Sequence, residues 1–216
     1  MEVTRIIAVR HGETAWNVDT RIQGQLDIPL NDKGQWQAAQ LGRILEGEEV
    51  DAIYSSDLMR AFETALAIAK PSGVNVQTDH GLREREFGIF QGKTFAEIEA
   101  TWPEQALRWR KRDPEFAPEG GESLLQFRER VLSTASALAA AHTGQQIALV
   151  AHGGVMDVLY RAATGQELQA PRTWQLGNAA INRLLWSPDG EHGGFSVVGW
   201  ADTHHLEDRS LDEATA

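Results

Sequence analysis

The feature that most constrains the fold is a set of short runs that are apolar at every position. Residues 6–9 read Ile-Ile-Ala-Val, and residues 147–151 read Ile-Ala-Leu-Val-Ala. A strand that faces water on one side alternates apolar and polar residues, whereas a strand of a parallel sheet covered on both faces is apolar throughout. Because segments with helical spacing separate these runs, we predict an α/β fold with helices on both faces of a sheet.

The other predicted elements follow the same alternation. The predicted helices cover residues 31–46, 57–70, 94–112 around Pro103, 122–142 and 153–163. The predicted strands cover residues 3–9, 50–54, 74–78, 146–151, 180–186 and 195–200. Ser55 and Ser56 are expected to cap the second helix, which should end at Pro71. The last two strands flank a Ser-Pro-Asp-Gly turn, which indicates a hairpin.

The chain has 216 residues, no cysteine and a formal net charge of −11. This length suits one α/β domain, which we assign to residues 1–202, with residues 203–216 as a flexible acidic tail. Disulfides, thiolate metal sites and thiol nucleophiles are excluded. The negative charge disfavours nucleic acid and anionic membranes as partners. The N-terminal apolar run is too short for a signal peptide and no stretch could span a membrane, so we expect a cytoplasmic protein.

Two of the apolar strands end in the same way. Residues 6–12 end in Arg-His-Gly, and residues 147–153 end in Ala-His-Gly. The carboxyl ends of parallel strands meet at one edge of a sheet, so His11 and His152 are expected to face each other across a crevice. A histidine can end a strand without any chemical role, but two His-Gly pairs, one beside Arg10, favour a shared site.

These residue types suit the transfer of a phosphoryl group. A neutral imidazole can attack phosphorus and hold the group as a phosphoramidate. The charge on the phosphoryl oxygens is best stabilised by fixed guanidinium groups, which Arg10 and Arg60 would supply at two strand ends. The same cations would keep His11 unprotonated. His152 and Asn17 could act as further donors.

Two other kinds of site are weaker candidates. His11, Glu13, His80 and His152 could be zinc ligands, but the chain has neither the cysteine pair of the zinc deaminases nor an H-x-x-x-H spacing. Residues 88–94, Gly-Ile-Phe-Gln-Gly-Lys-Thr, are similar to a P-loop. However, three residues instead of four separate the glycines, and no apolar strand precedes them. We therefore expect neither a metal site nor a nucleotide bound by this loop.

The ordered set of motifs resembles the histidine phosphatase superfamily, in the branch of the cofactor-dependent phosphoglycerate mutases. Arg10-His11-Gly12-Glu13-Thr14, with Asn17, is similar to the signature of that branch, and residues 150–159 (VAHGGVMDVL) are similar to its second histidine motif. The other similar blocks are residues 21–34 (RIQGQLDIPLNDKG), 54–65 (YSSDLMRAFETA), 82–92 (LREREFGIFQG) and 120–123 (GGES). Arg-His-Gly alone would be weak evidence, whereas the ordered set is specific.

The resemblance implies a fold and a role for each matching residue. The fold would be a three-layer α/β sandwich with a mixed, mainly parallel sheet between helices. His11 would accept the phosphoryl group, and Glu84 would protonate the leaving oxygen and then activate water. The phosphate and substrate contacts would come from Arg10, Asn17, Gln23, Gly24, Arg60 and His152. No metal or organic cofactor is implied, the partner is a small phosphomonoester, and a homodimer stays open.

The proposed acid lies in a segment of alternating charges, residues 82–87 (LREREF). If this segment is extended, Glu84 and Glu86 point to one side and the two arginines to the other, so the arginines do not hold the acid ionised. A second carboxylate nearby would raise its pKa, as a general acid at neutral pH requires. Either glutamate could serve on these grounds, or all four could be solvated loop charges; the spacing to Phe87-Gly88 selects Glu84 by resemblance.

A phosphatase, a mutase and a non-catalytic phosphate-binding module are the alternatives for function. A binder would need neither His11 nor Glu84, so their presence favours an enzyme. Mutases of this branch have a longer segment with paired arginines before Gly-Glu-Ser, an aromatic residue in the loop after the signature, and His-Gly-Asn at the second histidine. This chain has a short segment there, Gly-Gln-Leu-Asp at residues 24–27 and His-Gly-Gly at residues 152–154. We therefore predict a phosphatase, with a mutase as second choice.

Two groups of side chains have no assigned role in this interpretation. The short segment contains four cations, Arg108, Arg110, Lys111 and Arg112, of which at least two are expected on a solvated helix face. Four aromatic residues could line a hydrophobic entrance or simply belong to the core: Trp16, Phe90, Trp102 and Trp109.

Overall fold

The computed structural model describes residues 2–207. Six strands form one sheet: β1 (Thr4–Arg10), β2 (Ala52–Ser55), β3 (Val76–Thr78), β4 (Gln146–Ala151), β5 (Ile181–Trp186) and β6 (Phe195–Asp202). Their order across the sheet is β3-β2-β4-β1-β5-β6. The first four strands are parallel to one another, and β5 and β6 pair antiparallel. The sheet is therefore mixed and mainly parallel, which confirms the expected fold class.

Helices cover both faces of this sheet. They are α1 (Ala15–Val18), α2 (Asp32–Ile44), α3 (Met59–Ser72), α4 (Phe95–Thr101), α5 (Pro103–Arg110), α6 (Leu124–Ala140) and α7 (Gly153–Thr164). Short 3₁₀ turns lie at His80–Leu82, Gly88–Phe90, His192–Gly194 and His204–Leu206. Among the residues described, no helix is both long and apolar enough to cross a membrane.

The apolar strands feed two separate cores because successive side chains point to opposite faces. Ile6 and Ala8 of β1 pack with α6 and α7, whereas Ile7 and Val9 pack with α2 and α3. All four side chains are at most 1% exposed, so each helps to hold one helical layer on the sheet. A third, smaller cluster, formed by Phe90, Ile98, Ala106 and Phe116, lies beneath α4 and α5.

Helix α3 begins later than predicted. The expected serine cap is wrong, since the first helical residue is Met59 and the capping position is Leu58, which has no side-chain cap. Ser56 Oγ instead accepts a hydrogen bond from the Leu58 amide, and Asp27 Oδ1 accepts one from the Met59 amide at 2.7 Å. A distant loop therefore caps this helix, which a local reading of the sequence could not show.

The boundary of the C-terminal tail also differs from the prediction. Residues 203–207, which we assigned to the tail, include the 3₁₀ turn at His204–Leu206. Leu206 packs against the α2–α3 core, and His205 Nε2 lies 3.0 Å from the Ala179 carbonyl oxygen. The remainder of the predicted tail, residues 208–216, lies outside the described residues.

Candidate active site

The two predicted histidines meet at the carboxyl ends of neighbouring parallel strands. Arg10 of β1 is in register with Ala151 of β4, and the residue that follows each of these strands is a histidine, His11 or His152. The His11 amide donates to the Ala151 carbonyl at 3.0 Å, and the ring centroids of His11 and His152 are 5.2 Å apart in an edge-on arrangement. Both residues are almost completely buried.

The surroundings of His11 fix its tautomer. Its Nδ1 lies 2.7 Å from the Gly12 carbonyl oxygen, which can only accept a hydrogen bond. Nδ1 therefore bears the hydrogen, and the lone pair is on Nε2. Burial, together with the nearby charges of Arg60 and Arg10, lowers the pKa of His11 well below its usual value of 6.5. The ring is neutral at neutral pH, as a nucleophile must be.

A close approach of two chain segments holds the turn after His11. A Cβ on Gly12 would lie 2.5 Å from the Gly34 carbonyl oxygen, and a Cβ on Gly34 would overlap the Glu13 carbonyl oxygen. The Gly12 amide donates to Thr64 Oγ1 on α3 at 3.1 Å. Only glycine fits at these two positions, which brings the N-terminus of α2 against the end of β1.

Two arginines line the site, and their terminal nitrogens are held by backbone carbonyls. Arg60 donates from Nη1 to Leu26 O at 2.9 Å and from Nη2 to Gly24 O at 2.7 Å. Arg10 Nη1 donates to the Leu176 carbonyl. Burial lowers the pKa of Arg60 to about 10 and also lowers that of Arg10. Both remain cations at neutral pH, with their guanidinium planes fixed by the backbone.

Several buried polar atoms of the site have no hydrogen-bond partner among the residues described. They are Nε of Arg10, Nε of Arg60, both ring nitrogens of His152 and Oε1 of Gln23. Buried polar atoms in proteins are nearly always paired, so a group of such orphans indicates a missing ligand. An anion with several acceptor oxygens would satisfy the arginine and histidine donors, and rotation of the Gln23 amide would present its NH₂ as well.

Glu84 lies beside the second histidine. Its Oε2 accepts from the Gly154 amide at 2.9 Å, and its Oε1 accepts from the Arg85 amide at 2.8 Å. A Cβ on Gly154 would overlap Glu84 Oε1, so the glycine that departs from the mutase pattern makes room for this carboxylate. Gly153 lies against Arg10, where a Cβ would be 3.4 Å from Nε. Residues 152–154 therefore lie against both Glu84, the candidate acid, and Arg10, a candidate phosphate-binding residue.

The other charged residues of the 82–87 segment turn away from Glu84. The Arg83 side chain forms an ion pair with Asp57 at 2.5 Å, and Arg85 donates to the carbonyls of Phe116 and Glu122. Neither guanidinium binds the Glu84 carboxylate, as expected. Glu86 accepts from the Gly88 amide at 3.3 Å, within its own turn. The structure thus separates the two glutamates that the sequence left as alternatives.

Asn17 and Gly24 have roles in the structure that the sequence described incompletely. Asn17 Oδ1 accepts from the Thr14 amide at 3.0 Å in a capping box that begins α1, and Asn178 Nδ2 also lies 3.3 Å from it. No hydrogen bond of Asn17 Nδ2 is formed within residues 2–207, so this donor is available. Gly24 has a positive φ of 52°, and its carbonyl oxygen is the one held by Arg60.

Sequence reasoning missed two residues that brace the site. Arg130 of α6 donates to the carbonyls of Gly81, Arg83 and Glu84, and to the Glu122 carboxylate at 2.7 Å. Glu122 Oε2 also accepts from the Glu86 amide at 2.9 Å. Although burial alone would raise the pKa of Glu122, the hydrogen bonds from Arg130 and the Glu86 amide hold it below its usual range. The Gly-Glu-Ser motif was the available signal, since it contains Glu122.

Asn178 was also missed. Its Nδ2 donates to the carbonyls of His11 at 3.0 Å and Gly12 at 3.3 Å. No motif marks this asparagine, because it lies in the irregular segment before β5.

The alternative sites are not assembled. His80 is exposed and pairs with Asp57 at 3.0 Å, and no group of three potential metal ligands occurs in the described part of the chain. Residues 88–90 form a 3₁₀ turn, not a phosphate-binding loop. Phe90 is fully buried in the third core with Trp102 and Trp109 against it, so Phe90 cannot line an entrance.

Comparisons with known proteins agree with this geometry. The sequence profile of the histidine phosphatase superfamily (branch 1) matches residues 6–203. Phosphoglycerate mutase-like protein 4 of Arabidopsis thaliana is 38% identical, with 96% of this chain and 89% of that protein covered. Glucosyl-3-phosphoglycerate phosphatase of Mycolicibacterium vanbaalenii is 37% identical, with 93% of each chain covered. A solved structure of phosphoserine phosphatase from Entamoeba histolytica, in complex with 3-phosphoglyceric acid, superposes with a TM-score of 0.80 at 29% identity, covering 94% of this chain and all of the other (100%).

Proposed function

Because the chain belongs to the histidine phosphatase superfamily, we propose that it hydrolyses small phosphomonoesters through a phosphohistidine formed on His11. The observation that supports this proposal most strongly is the buried neutral His11, 5.2 Å from the His152 ring, with the orphan donors of Arg10 and Arg60. The relatives named as phosphatases of small phosphorylated acids support the same class of reaction.

In the first step, His11 Nε2 attacks phosphorus. The new P–N bond forms as the P–O bond to the leaving group breaks, and the carboxyl group of Glu84 gives its proton to the leaving oxygen. Arg10, Arg60 and His152 donate hydrogen bonds to the non-bridging oxygens. Because the backbone already holds the two arginines in place, little reorganisation is needed as charge develops on these oxygens.

In the second step, water replaces the imidazole. The Glu84 carboxylate takes a proton from water, the new P–O bond forms and the P–N bond breaks, which releases inorganic phosphate and restores neutral His11. Gly154 fixes one oxygen of Glu84 by its amide. The same carboxylate can therefore serve both steps without moving to a new site.

Two of the four cations before the Gly-Glu-Ser motif give no support to transfer of the phosphoryl group to a second substrate. A mutase must hold a second anionic group and exclude water from the phosphohistidine. Arg108 and Arg110 do not serve here, because they form exposed pairs with Asp113 and Glu99. These two cations lie on a solvated helix face, as predicted.

The test compares release of phosphate with transfer of phosphate. The purified protein is incubated with a panel of small phosphomonoesters, including 3-phosphoglycerate, and both inorganic phosphate and 2-phosphoglycerate are measured. We expect release of phosphate and little or no 2-phosphoglycerate. Conversion to 2-phosphoglycerate with little free phosphate would show a mutase, and saturable binding without either product would show a phosphate-binding module.

A further inference from the structure

Residues 176–179, an irregular segment just before β5, bind the end of β1. The Leu176 carbonyl accepts a hydrogen bond from Arg10 Nη1, and the Ala179 amide donates to the Arg10 carbonyl at 2.9 Å. The segment therefore holds a candidate phosphate-binding residue by both its side chain and its backbone. The mechanism proposed above uses no residue of this segment, although Asn178 lies between the two anchoring residues.

The side-chain nitrogen of Asn178 meets three acceptor oxygens. Nδ2 lies 3.0 Å from the His11 carbonyl oxygen, 3.3 Å from that of Gly12 and 3.3 Å from Asn17 Oδ1. The two backbone carbonyls can only accept, which fixes the orientation of the Asn178 amide. The Gly12 carbonyl is also the acceptor for His11 Nδ1, and its two lone pairs can serve both donors. Asn178 therefore links the backbone of the candidate nucleophile to the side chain of Asn17.

The same contact helps to decide which way the Asn17 amide faces. Asn17 Oδ1 also accepts from the Thr14 amide at 3.0 Å. The Thr14 amide and the Asn178 NH₂ can only donate, so a rotated Asn17 amide would set its own NH₂ against two donors. The amide is therefore held with Nδ2 turned away from both groups, and within residues 2–207 this nitrogen forms no hydrogen bond.

The backbone next to Asn178 is strained and held from two sides. Ala179 is fully buried and has a positive φ of 55°, which is unfavourable for a residue with a Cβ. Such conformations persist only where the surrounding contacts hold them, and they are concentrated at functional sites. Here the Ala179 amide binds the Arg10 carbonyl, and His205 Nε2 lies 3.0 Å from the Ala179 carbonyl oxygen. These contacts keep Asn178 at a defined place beside the end of β1.

We propose that Asn178 is a positioning residue for anion binding, which holds the Asn17 amide beside the His11 turn with its NH₂ free for a phosphoryl oxygen. The inference rests on the proposed phosphatase function and deepens it. Asn178 itself does not touch the substrate; it acts through Asn17, which the sequence predicts as a phosphate contact. Without Asn178, the Asn17 amide loses one of the two donors that fix its orientation.

The test is a double-mutant cycle read by the binding of vanadate, which needs no turnover. Isothermal titration calorimetry measures Kd for the wild type, Asn17→Ala, Asn178→Ala and the double variant. We expect each single variant to raise Kd by about tenfold, since a hydrogen bond to an anion is lost or misdirected in both. In the double variant Kd should stay within about threefold of Asn17→Ala, whereas independent effects would multiply to a loss of roughly a hundredfold.

Gln175→Ala is the matched control, because it removes an exposed amide from the chain just before the same segment, and it should leave Kd unchanged. Circular dichroism checks that each variant is folded, and Asn178→Ser replaces Asn178→Ala in the cycle if the alanine variant is not. Losses that multiply, or a Kd that the change at Asn178 leaves unaltered, would overturn the positioning role.

Hydrolysis of p-nitrophenyl phosphate by the wild type separates this inference from the proposed function. If the ester is hydrolysed but the losses multiply, only the role of Asn178 is wrong. If vanadate binds with the expected coupling but no ester is hydrolysed, only the proposed function is wrong. A wild-type protein that binds no vanadate would refute both.

Discussion

At the scale of single residues, the site depends on which groups are charged and which are not. Burial and two neighbouring cations keep His11 neutral, and the same causes, with burial the largest, lower the pKa of His152. The arginines remain charged because their pKa values fall only moderately, to about 10 for Arg60. A neutral candidate nucleophile therefore coexists with cationic candidate donors over the physiological pH range.

The two glutamates of the 82–87 segment allow a matched test of the acid. Glu84→Gln keeps the shape of the side chain but cannot exchange a proton, so we expect turnover of alkyl phosphates to fall by about 100- to 10,000-fold. Glu86→Gln, whose side chain stays within its own turn, should remain within about threefold of wild type. Steady-state kinetics of both variants measures the difference.

The leaving group sharpens this test. p-Nitrophenolate needs no proton to leave, so Glu84→Gln should still be phosphorylated by p-nitrophenyl phosphate but should release phosphate slowly. If Glu84→Gln and Glu86→Gln lose equal turnover of alkyl phosphates, or if Glu84→Gln is fully active, Glu84 is not the acid.

At the scale of elements, the site is made where strand ends, helix starts and loops meet. His11 and His152 could be predicted to adjoin because apolar parallel strands must end at one edge of the sheet. The contacts of Arg130 and Asn178 could not be predicted. Both residues are remote in the sequence from the segments that they bind, and no local sequence pattern indicates these contacts. The prediction of a serine cap for α3 was wrong for the same reason, since the residue that accepts the hydrogen bond from the first helical amide is Asp27, in another loop.

Arg130 should act as a positioning residue for the segment that carries Glu84. Its guanidinium holds three carbonyls of that segment and the Glu122 carboxylate. We expect Arg130→Gln to lower kcat by at least tenfold, because Glu84 loses its fixed position, while inhibition by vanadate changes little, because the phosphate pocket is intact. Steady-state kinetics and the vanadate inhibition constant test this split.

Arg128→Gln, on the exposed face of the same helix, is the control for Arg130→Gln and should behave as wild type. Arg130→Lys should recover part of kcat. If vanadate affinity and kcat fall together in Arg130→Gln, then Arg130 supports the whole pocket and not Glu84 in particular.

At the scale of the whole molecule, the sequence predicted the fold well. Strands apolar at every position required helices on both faces, and the two cores divide the residues of β1 by their alternation, as such strands must. Element ends were less predictable, since residues 204–206 form a 3₁₀ turn where a tail was expected. Leu206 packs against the distant α2–α3 core in this turn. The surrounding residues are polar, so the sequence gives no local sign of this packing.

The buried neutral histidines also make the stability of the fold depend on pH. In the unfolded chain each would titrate near 6.5, whereas in the folded chain the pKa values of His11 and His152 are well below this value. The unfolded state therefore binds more protons as the pH falls, and stability is lost. Between pH 7.5 and 5.5 we expect the free energy of unfolding to fall by about 1 kcal/mol for each histidine. Urea unfolding at several pH values measures this loss.

The window lies above the range in which carboxylates titrate, so it isolates the histidines. In His11→Gln and in His152→Gln, the decrease in the free energy of unfolding between pH 7.5 and 5.5 should be smaller by the contribution of one histidine. It should not be smaller in His204→Gln, because Asp202 raises the pKa of that exposed histidine and its effect on stability has the opposite sign. An equal loss in all variants would mean that the buried rings are not held neutral.

The most direct test of the central claim is to trap the phosphoryl group on the protein. The protein is mixed with a ³²P-labelled phosphomonoester, quenched in base within milliseconds, digested and analysed by mass spectrometry. We predict label on His11 that is stable in base and lost in acid, and its absence from His11→Asn. Label on any other residue, or label that persists in His11→Asn, would contradict the account.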